Sequence, residues 1–210
     1  MVTLRFNDWL GKLGTLIGVM VLVKITQLVP LTSILGVFGS RFTLTDALAP
    51  VTGFFGWVGI VGFAVATFFK GSSLLGLLHF LPGLAGAFAF NQSKRAVLLV
   101  LLVCCFVLFL LHPVGALSWF YTLYWLIPVY IYYKNMQHVF ARALAATFVT
   151  HAVGSVIWLY SYAYTPSLFL ALMPIVLVER LSFATLMTGV CVLVQKIGSV
   201  RVMRLMHRSS

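Results

Sequence analysis

The sequence predicts an all-α protein: a polytopic membrane helix bundle of six spans that forms a single integral membrane domain over residues 1–210. Hydrophobic residues make up 62% of the 210 residues and charged residues only 8%, whereas soluble domains carry about 25% charged residues. The second observation is a series of apolar runs near 20 residues, the length that crosses a bilayer core. The predicted spans are 13–36, 47–69, 96–111, 114–133, 140–162 and 167–195.

Local signals justify these spans in order. The first follows Arg5 and Lys12 and is too long for the apolar part of a cleaved signal peptide. His112-Pro113 predicts a tight turn between the third and fourth spans. A further run, 73–90, is about 18 residues long and is interrupted by Pro82 and glycines. It is either a seventh span or a short broken or re-entrant segment that other helices shield.

The distribution of cations selects six spans. If 73–90 does not cross, eleven Lys and Arg residues fall on one side of the membrane and only Arg41 on the other. If it crosses, the best seven-span orientation places Arg5, Lys12 and Lys70 outside. Because cytoplasmic loops are enriched in Lys and Arg, both termini are expected in the cytoplasm and the chain in the plasma (inner) membrane. The side expected to be cytoplasmic carries Arg5, Lys12, Lys70, Lys94, Arg95, Lys134, Arg142, Lys196, Arg201, Arg204 and Arg208.

Several functional classes are disfavoured. The net charge of +11 lies in the gaps between apolar runs and not in a basic stripe, so no nucleic-acid partner is expected. The three cysteines lie inside apolar runs without metal-ligand spacing, and no metal or other cofactor is expected. The sequence lacks a Walker A loop and contains only three acidic residues, so it is not expected to be an enzyme.

Charges inside predicted spans are the sharpest functional signal. Lys24, Glu179 and Arg180 each cost about 2.5–3.5 kcal/mol at a helix centre, so exposure to lipid without a partner is disfavoured. Neighbours on a helix point about 100° apart, so Glu179 and Arg180 should face different partners. They either line a polar cavity or form a structural ion pair between helices, such as Glu179 with Lys24.

Two further patterns predict either a pocket or packing. A polar and aromatic stripe at helical spacing marks the fifth span, and aromatic residues fill the outer half of the fourth. The alternatives are helix–helix packing and an interfacial aromatic belt. The stripe is Thr147, His151, Ser155, Trp158 and Tyr162, and the aromatic group, with one serine, is Ser118, Trp119, Tyr121, Tyr124 and Trp125.

The outer loop and the first span add weaker signals. Residues 38–46 combine charges with hydroxyl groups, which is typical of a lid, although Thr45 or Asp46 could simply cap the next helix. Gly14 and Gly18 form a GxxxG pair that allows the close approach of another helix.

The stretch from Phe42 to Pro50, with Gly53, Gly56, Gly59 and Gly62 after it, resembles the loop and second helix of S components, the substrate-binding subunits of energy-coupling-factor (ECF) transporters. The stretches 79–82, 147–155 and 174–181 resemble an S-component-like branch with no assigned substrate. S components have about 200 residues and usually six helices.

The resemblance implies a substrate-capture subunit that takes a vitamin or nucleobase-like micronutrient from outside and works with a transmembrane T subunit and ATPase subunits. It places Arg41, Thr43 and Asp46 in a lid, and His151, Ser155, Trp158 and Glu179 in the pocket. The aromatic and charge patterns add Trp125 and Arg180 to that pocket. Gly14 and Gly18 would lie where the partner subunit docks.

Three alternatives stay open. A self-sufficient secondary transporter or channel would use Lys24, His151 and Glu179 as a proton or ion relay. An intramembrane enzyme acting on lipid would use His151 and Glu179 as acid and base. An assembly factor would bind no small ligand.

Overall fold

The computed structural model describes residues 9–28, 44–68, 78, 80–91 and 94–208, and every regular element in these ranges is a helix. The predicted all-α class is confirmed for this part of the chain. The α-helices are α1 (Trp9–Gln27), α2 (Leu44–Leu48), α3 (Gly56–Phe68), α4 (Leu81–Asn91), α5 (Arg95–Leu111), α6 (Pro113–Leu117), α7 (Leu126–Tyr133), α8 (Val139–Ser161) and α9 (Pro166–Arg208). Two 3-10 helices, Ala49–Phe55 and Trp119–Trp125, precede α3 and α7.

Three helical stretches are long and apolar enough to cross a membrane: Ala49–Thr67, Val139–Ser161 and Pro166–Lys196. Helix α5 is apolar but has only 17 residues. By length and composition, therefore, the described helices are those of a membrane protein.

The predicted span over 47–69 contains the candidate crossing stretch Ala49–Thr67, but it is not one continuous α-helix, because the chain turns inside it at Gly56. Gly56 has φ 66° and ψ −150°, a conformation that a residue with a side chain rarely adopts. After this turn, α3 packs back on the first 3-10 helix: a Cβ on Gly59 would overlap the carbonyl oxygen of Thr52, and Ala49 clusters with Phe63. We call residues 49–68 the Gly56 hairpin.

Contacts across the bundle give the direction of each helix. Helix α1 runs parallel to α3, since Trp9 and Trp57 line one groove at the starts of the two helices and Val19 packs against Gly62 further along. The first 3-10 helix runs beside α4, with Gly53 on Ala87. Helix α4, whose 11 residues extend about 16 Å, is antiparallel to α8 and meets it through Gly86 and Thr150.

The predicted fourth span, 114–133, is not one α-helix. The turn at His112-Pro113 forms as predicted, with His112 Nδ1 accepting a hydrogen bond from the Val114 amide at 3.3 Å. Beyond it the chain divides into α6, the second 3-10 helix and α7. The apolar pattern predicted helical residues here but not these breaks.

Helix α8 lies at the centre of the bundle and packs on α4, α5, α7 and α9. Arg142 in its first turns is buried, at 5% exposure. Its guanidinium donates to the backbone carbonyl of Phe90 at the end of α4 and lies 4.9 Å from the centre of the Phe90 ring. A residue that we counted among interfacial cations is therefore part of the core.

The two ends of the bundle differ in charge. Helix α1 runs in the same direction as α8, while α9 runs antiparallel to α8, since Arg180 lies near Thr147 and Cys191 lies near Arg142. The start of α1 and the second half of α9 consequently lie at the end where α8 begins. We call this the basic end, because it holds the described cations Lys12, Lys94, Arg95, Lys134 and Lys196.

Candidate functional site

Polar side chains from three elements meet inside the bundle. Helix α8 supplies Thr147, His151 and Ser155, which share one face because they are four residues apart. Helix α9 supplies Glu179 and Arg180, and the second 3-10 helix supplies Tyr121. We call these six residues the polar cluster.

The two charges of the cluster bind each other. Arg180 Nη2 lies 2.8 Å from Glu179 Oε2, and the two residues are 5% and 9% exposed. Arg180 Nη1 donates to the carbonyl of Thr147 at 3.5 Å. The expectation that these neighbours face different partners is wrong, because their side chains are long enough to bridge the 100° between them.

Lys24 takes no part in this pair. It lies exposed in the last turn of α1, where a lysine can extend its ammonium group towards the membrane surface. The predicted Glu179–Lys24 pair is therefore not formed.

His151 stands at the centre of the cluster. Its ring centroid is 5.2 Å from that of Tyr121 and 6.5 Å from that of Phe148. Ser155 lies beside the Tyr121 hydroxyl, and Arg180 lies near both Tyr121 and His151. Nε2 of His151 is buried without a hydrogen-bond partner among the described residues.

Aromatic residues close the cluster on the side of the second 3-10 helix. Tyr124 stacks on Phe148 at 5.9 Å and donates its hydroxyl hydrogen to the carbonyl of Met173 at 2.9 Å. Phe169 meets Tyr121 edge-on at 4.9 Å. Met173 precedes Pro174, the proline inside α9. The two elements that carry these aromatic residues and Met173 thus each contain a feature that interrupts regular α-helix: the 3-10 geometry of Trp119–Trp125 and Pro174 in α9.

Several buried polar atoms at and beside the cluster lack partners within the described structure. They include His151 Nε2, Arg180 Nε and Trp125 Nε1. Leaving such an atom unsatisfied costs about 1–3 kcal/mol, so proteins normally pair it with protein, water or ligand. Arg180 and Trp125 can only donate there, so the interior favours a ligand rich in acceptor atoms.

The structure does not place the remaining predicted site residues in the polar cluster. Arg41 and Thr43 lie outside the described residues; Asp46 belongs to α2, but its side chain is outside the described part. Trp158 is half-buried on α8, one turn beyond Ser155. Gly14 and Gly18 are exposed on α1, and a Cβ at either would meet no atom within 4 Å.

Thr45 does not cap a helix. It lies inside α2, where its hydroxyl pairs with that of Thr26 at 2.8 Å and donates to the carbonyl of Val23 at 3.3 Å. This contact ties α2 to the end of α1.

Tyr121 and Tyr124 were predicted only as members of an aromatic group that could line a pocket, and no binding role was predicted for Phe148 and Phe169. The aromatic content of 118–125 indicated that part of the wall, whereas Phe148 and Phe169 are single aromatic residues in apolar runs. Among the described residues, no group of three His, Cys, Asp or Glu side chains could hold a metal ion. Two shallow apolar grooves, of about 440 and 330 Å³, lie away from the cluster.

Comparison of the sequence with models of protein families and with curated proteins, and of the fold with solved structures, finds no match.

Proposed function

We propose that this chain is the membrane-embedded substrate-capture subunit of an ECF-type importer for a small micronutrient. The observation that carries the proposal is the polar cluster: a buried Arg180–Glu179 pair and a half-buried histidine packed among aromatic rings, with Arg180 Nε and His151 Nε2 unsatisfied in the described structure. Small-molecule sites usually combine apolar walls with a few converging polar groups, and the polar cluster has both.

The paired charges favour a particular ligand chemistry. Because Glu179 neutralises Arg180, the cluster adds no net charge that would demand an ion. The unsatisfied donors favour carbonyl or ring-nitrogen acceptors, and the rings of Tyr121 and Tyr124 favour a planar ligand.

The proposed topology has six membrane crossings. Both termini lie in the cytoplasm, and the chain resides in the plasma (inner) membrane. The cations of the basic end support this orientation, because positive residues accumulate on the cytoplasmic side.

The proposed partners are a transmembrane T subunit and ATPase subunits, since an importer needs an energy source and the chain has no Walker A loop. The open face of α1 around Gly14 and Gly18 is the proposed docking surface. A relay through Lys24, His151 and Glu179 has less support, because Lys24 is exposed on α1 and Glu179 is bonded to Arg180.

The test is native mass spectrometry of protein purified in mild detergent, with extraction of any small molecule that co-purifies. We expect one non-lipid ligand per chain, which His151→Gln removes and His138→Gln retains. His138 is a matched control because it lies exposed just before α8, outside the cluster.

The proposal fails if the wild-type protein carries no ligand and shows no thermal shift across a panel of vitamins and nucleobases. Equal loss of ligand in both histidine variants would also count against the polar cluster as the site.

A further inference from the structure

A groove of about 330 Å³ separates the first half of α1 from the start of α3. We call it the α1–α3 groove. Its apolar walls come from both helices, and one cation and two indole rings complete it. The residues that matter to its chemistry are Trp9, Lys12, Leu13, Leu16, Trp57 and Val61.

The position of the groove gives it a polar and an apolar part. Helix α1 begins at the basic end, so Trp9 and Lys12 lie nearest to that end, whereas Leu16 and Val61 lie deeper in the bundle. Trp9 is 72% exposed and Trp57 is 53% exposed. Tryptophan is enriched where the headgroup region meets the hydrocarbon core, because its ring is apolar and its N–H is polar.

The local charge favours an anion at the polar part. Lys12 lines the groove, while Glu179 is bonded to Arg180 on α9. The other two acidic side chains of the sequence, Asp8 and Asp46, lie outside the described structure. Basic pockets between membrane helices on the cytoplasmic side bind anionic lipid headgroups.

We propose that the α1–α3 groove binds one anionic phospholipid. Lys12 holds the phosphate and the headgroup charge, and the two indole N–H groups donate to the glycerol-ester region. One acyl chain lies along Leu13, Leu16 and Val61. The proposal is independent of the substrate in the polar cluster, because it uses residues of α1 and α3 only.

The experiment uses the full chain, delipidated and then exposed to equal amounts of phosphatidylglycerol and phosphatidylcholine with the same acyl chains. Native mass spectrometry counts the lipids that survive gentle activation. We expect one tightly held phosphatidylglycerol, preferred about fivefold, the factor that one lysine near an anionic surface provides. Lys12→Gln should abolish the preference, and Lys196→Gln, at the same end but outside the groove, should leave it intact.

A second variant separates the apolar part from the charge. Trp57→Leu should reduce the retention of both lipids while keeping the preference for phosphatidylglycerol. Equal retention of the two lipids by the wild-type protein would overturn the proposal, as would a preference that survives Lys12→Gln. A lipid-free dimer that protects Trp57 from quenching would show that a second copy occupies the groove instead.

Discussion

Two glycines at the interface of α4 and α8 allow one substitution to be tested with opposite expected signs. Gly86 lies in α4 and Gly154 in α8, and both have helical backbone. A Cβ at Gly86 would lie 2.9 Å from Cγ of Pro50 and closer still to the Thr150 hydroxyl. A Cβ at Gly154 would meet nothing nearer than Pro82, at 3.7 Å.

These contacts set the expected magnitudes. Inserting a methyl group into a packed interface costs about 1–3 kcal/mol, while replacing glycine by alanine in a helix gains about 1 kcal/mol. We therefore expect Gly86→Ala to lower the free energy of unfolding by up to about 2 kcal/mol, and Gly154→Ala to raise it by up to about 1 kcal/mol. For a chain of this size, 1 kcal/mol corresponds to about 2–4 °C in Tm.

Thermal unfolding in detergent micelles, followed with a thiol-reactive dye, measures the difference. Cys105 and Cys191 are buried and report loss of the core, and Cys104→Ser removes the exposed thiol from the background. Thr150→Ala should restore part of the Tm lost in Gly86→Ala, because the contact with Pro50 remains. Shifts of the same sign in Gly86→Ala and Gly154→Ala would refute the close approach of α4 to α8.

Two further predictions concern buried charges and use the same assay. Arg142→Ala should lower the free energy of unfolding by about 3 kcal/mol, since the carbonyl of Phe90 loses a charged donor. Arg142→Lys should recover less than half of that loss, because an ammonium group cannot reproduce the guanidinium fork. Full recovery of stability in Arg142→Lys would refute this role. Glu179→Gln should lower the free energy of unfolding by about 3 kcal/mol, because it leaves Arg180 buried without its counter-ion. Glu179→Leu combined with Arg180→Met should leave the free energy of unfolding nearly unchanged. An equally large loss in the double variant would show that the pair itself stabilises the fold.

Composition predicted the fold class because it reflects the solvent around the whole chain. A chain with 62% hydrophobic residues cannot bury that much apolar surface in water. The turn at His112-Pro113 was predictable because proline acts on its immediate neighbours. The breaks after α6 and at Gly56 were not. An apolar run of about 20 residues meets the length criterion whether it crosses once or folds back on itself.

The polar cluster was partly predictable, for reasons of spacing. The four-residue spacing of Thr147, His151 and Ser155 places them on one face wherever the helix lies. The choice of partner was not predictable, because Glu179 lay near two cations in the predicted bundle and only packing selects Arg180 over Lys24. Spacing along a helix specifies a face; it does not specify what that face meets.

The glycine series in the second predicted span shows how one pattern can fit two structures. Close packing of a continuous helix would explain small residues, but it would not require a positive φ. In the Gly56 hairpin each of the four glycines has a separate reason: Gly56 adopts φ 66°, Gly53 lets the carbonyl of Ala87 approach, Gly59 lets that of Thr52 approach, and Gly62 lets the Val19 side chain approach. Irregular backbone at membrane depth must be covered by protein, and six of the seven residues in the first 3-10 helix are buried. Helices α1, α4 and α9 cover the hairpin, so its stability depends on helices that lie both before and after it in the chain.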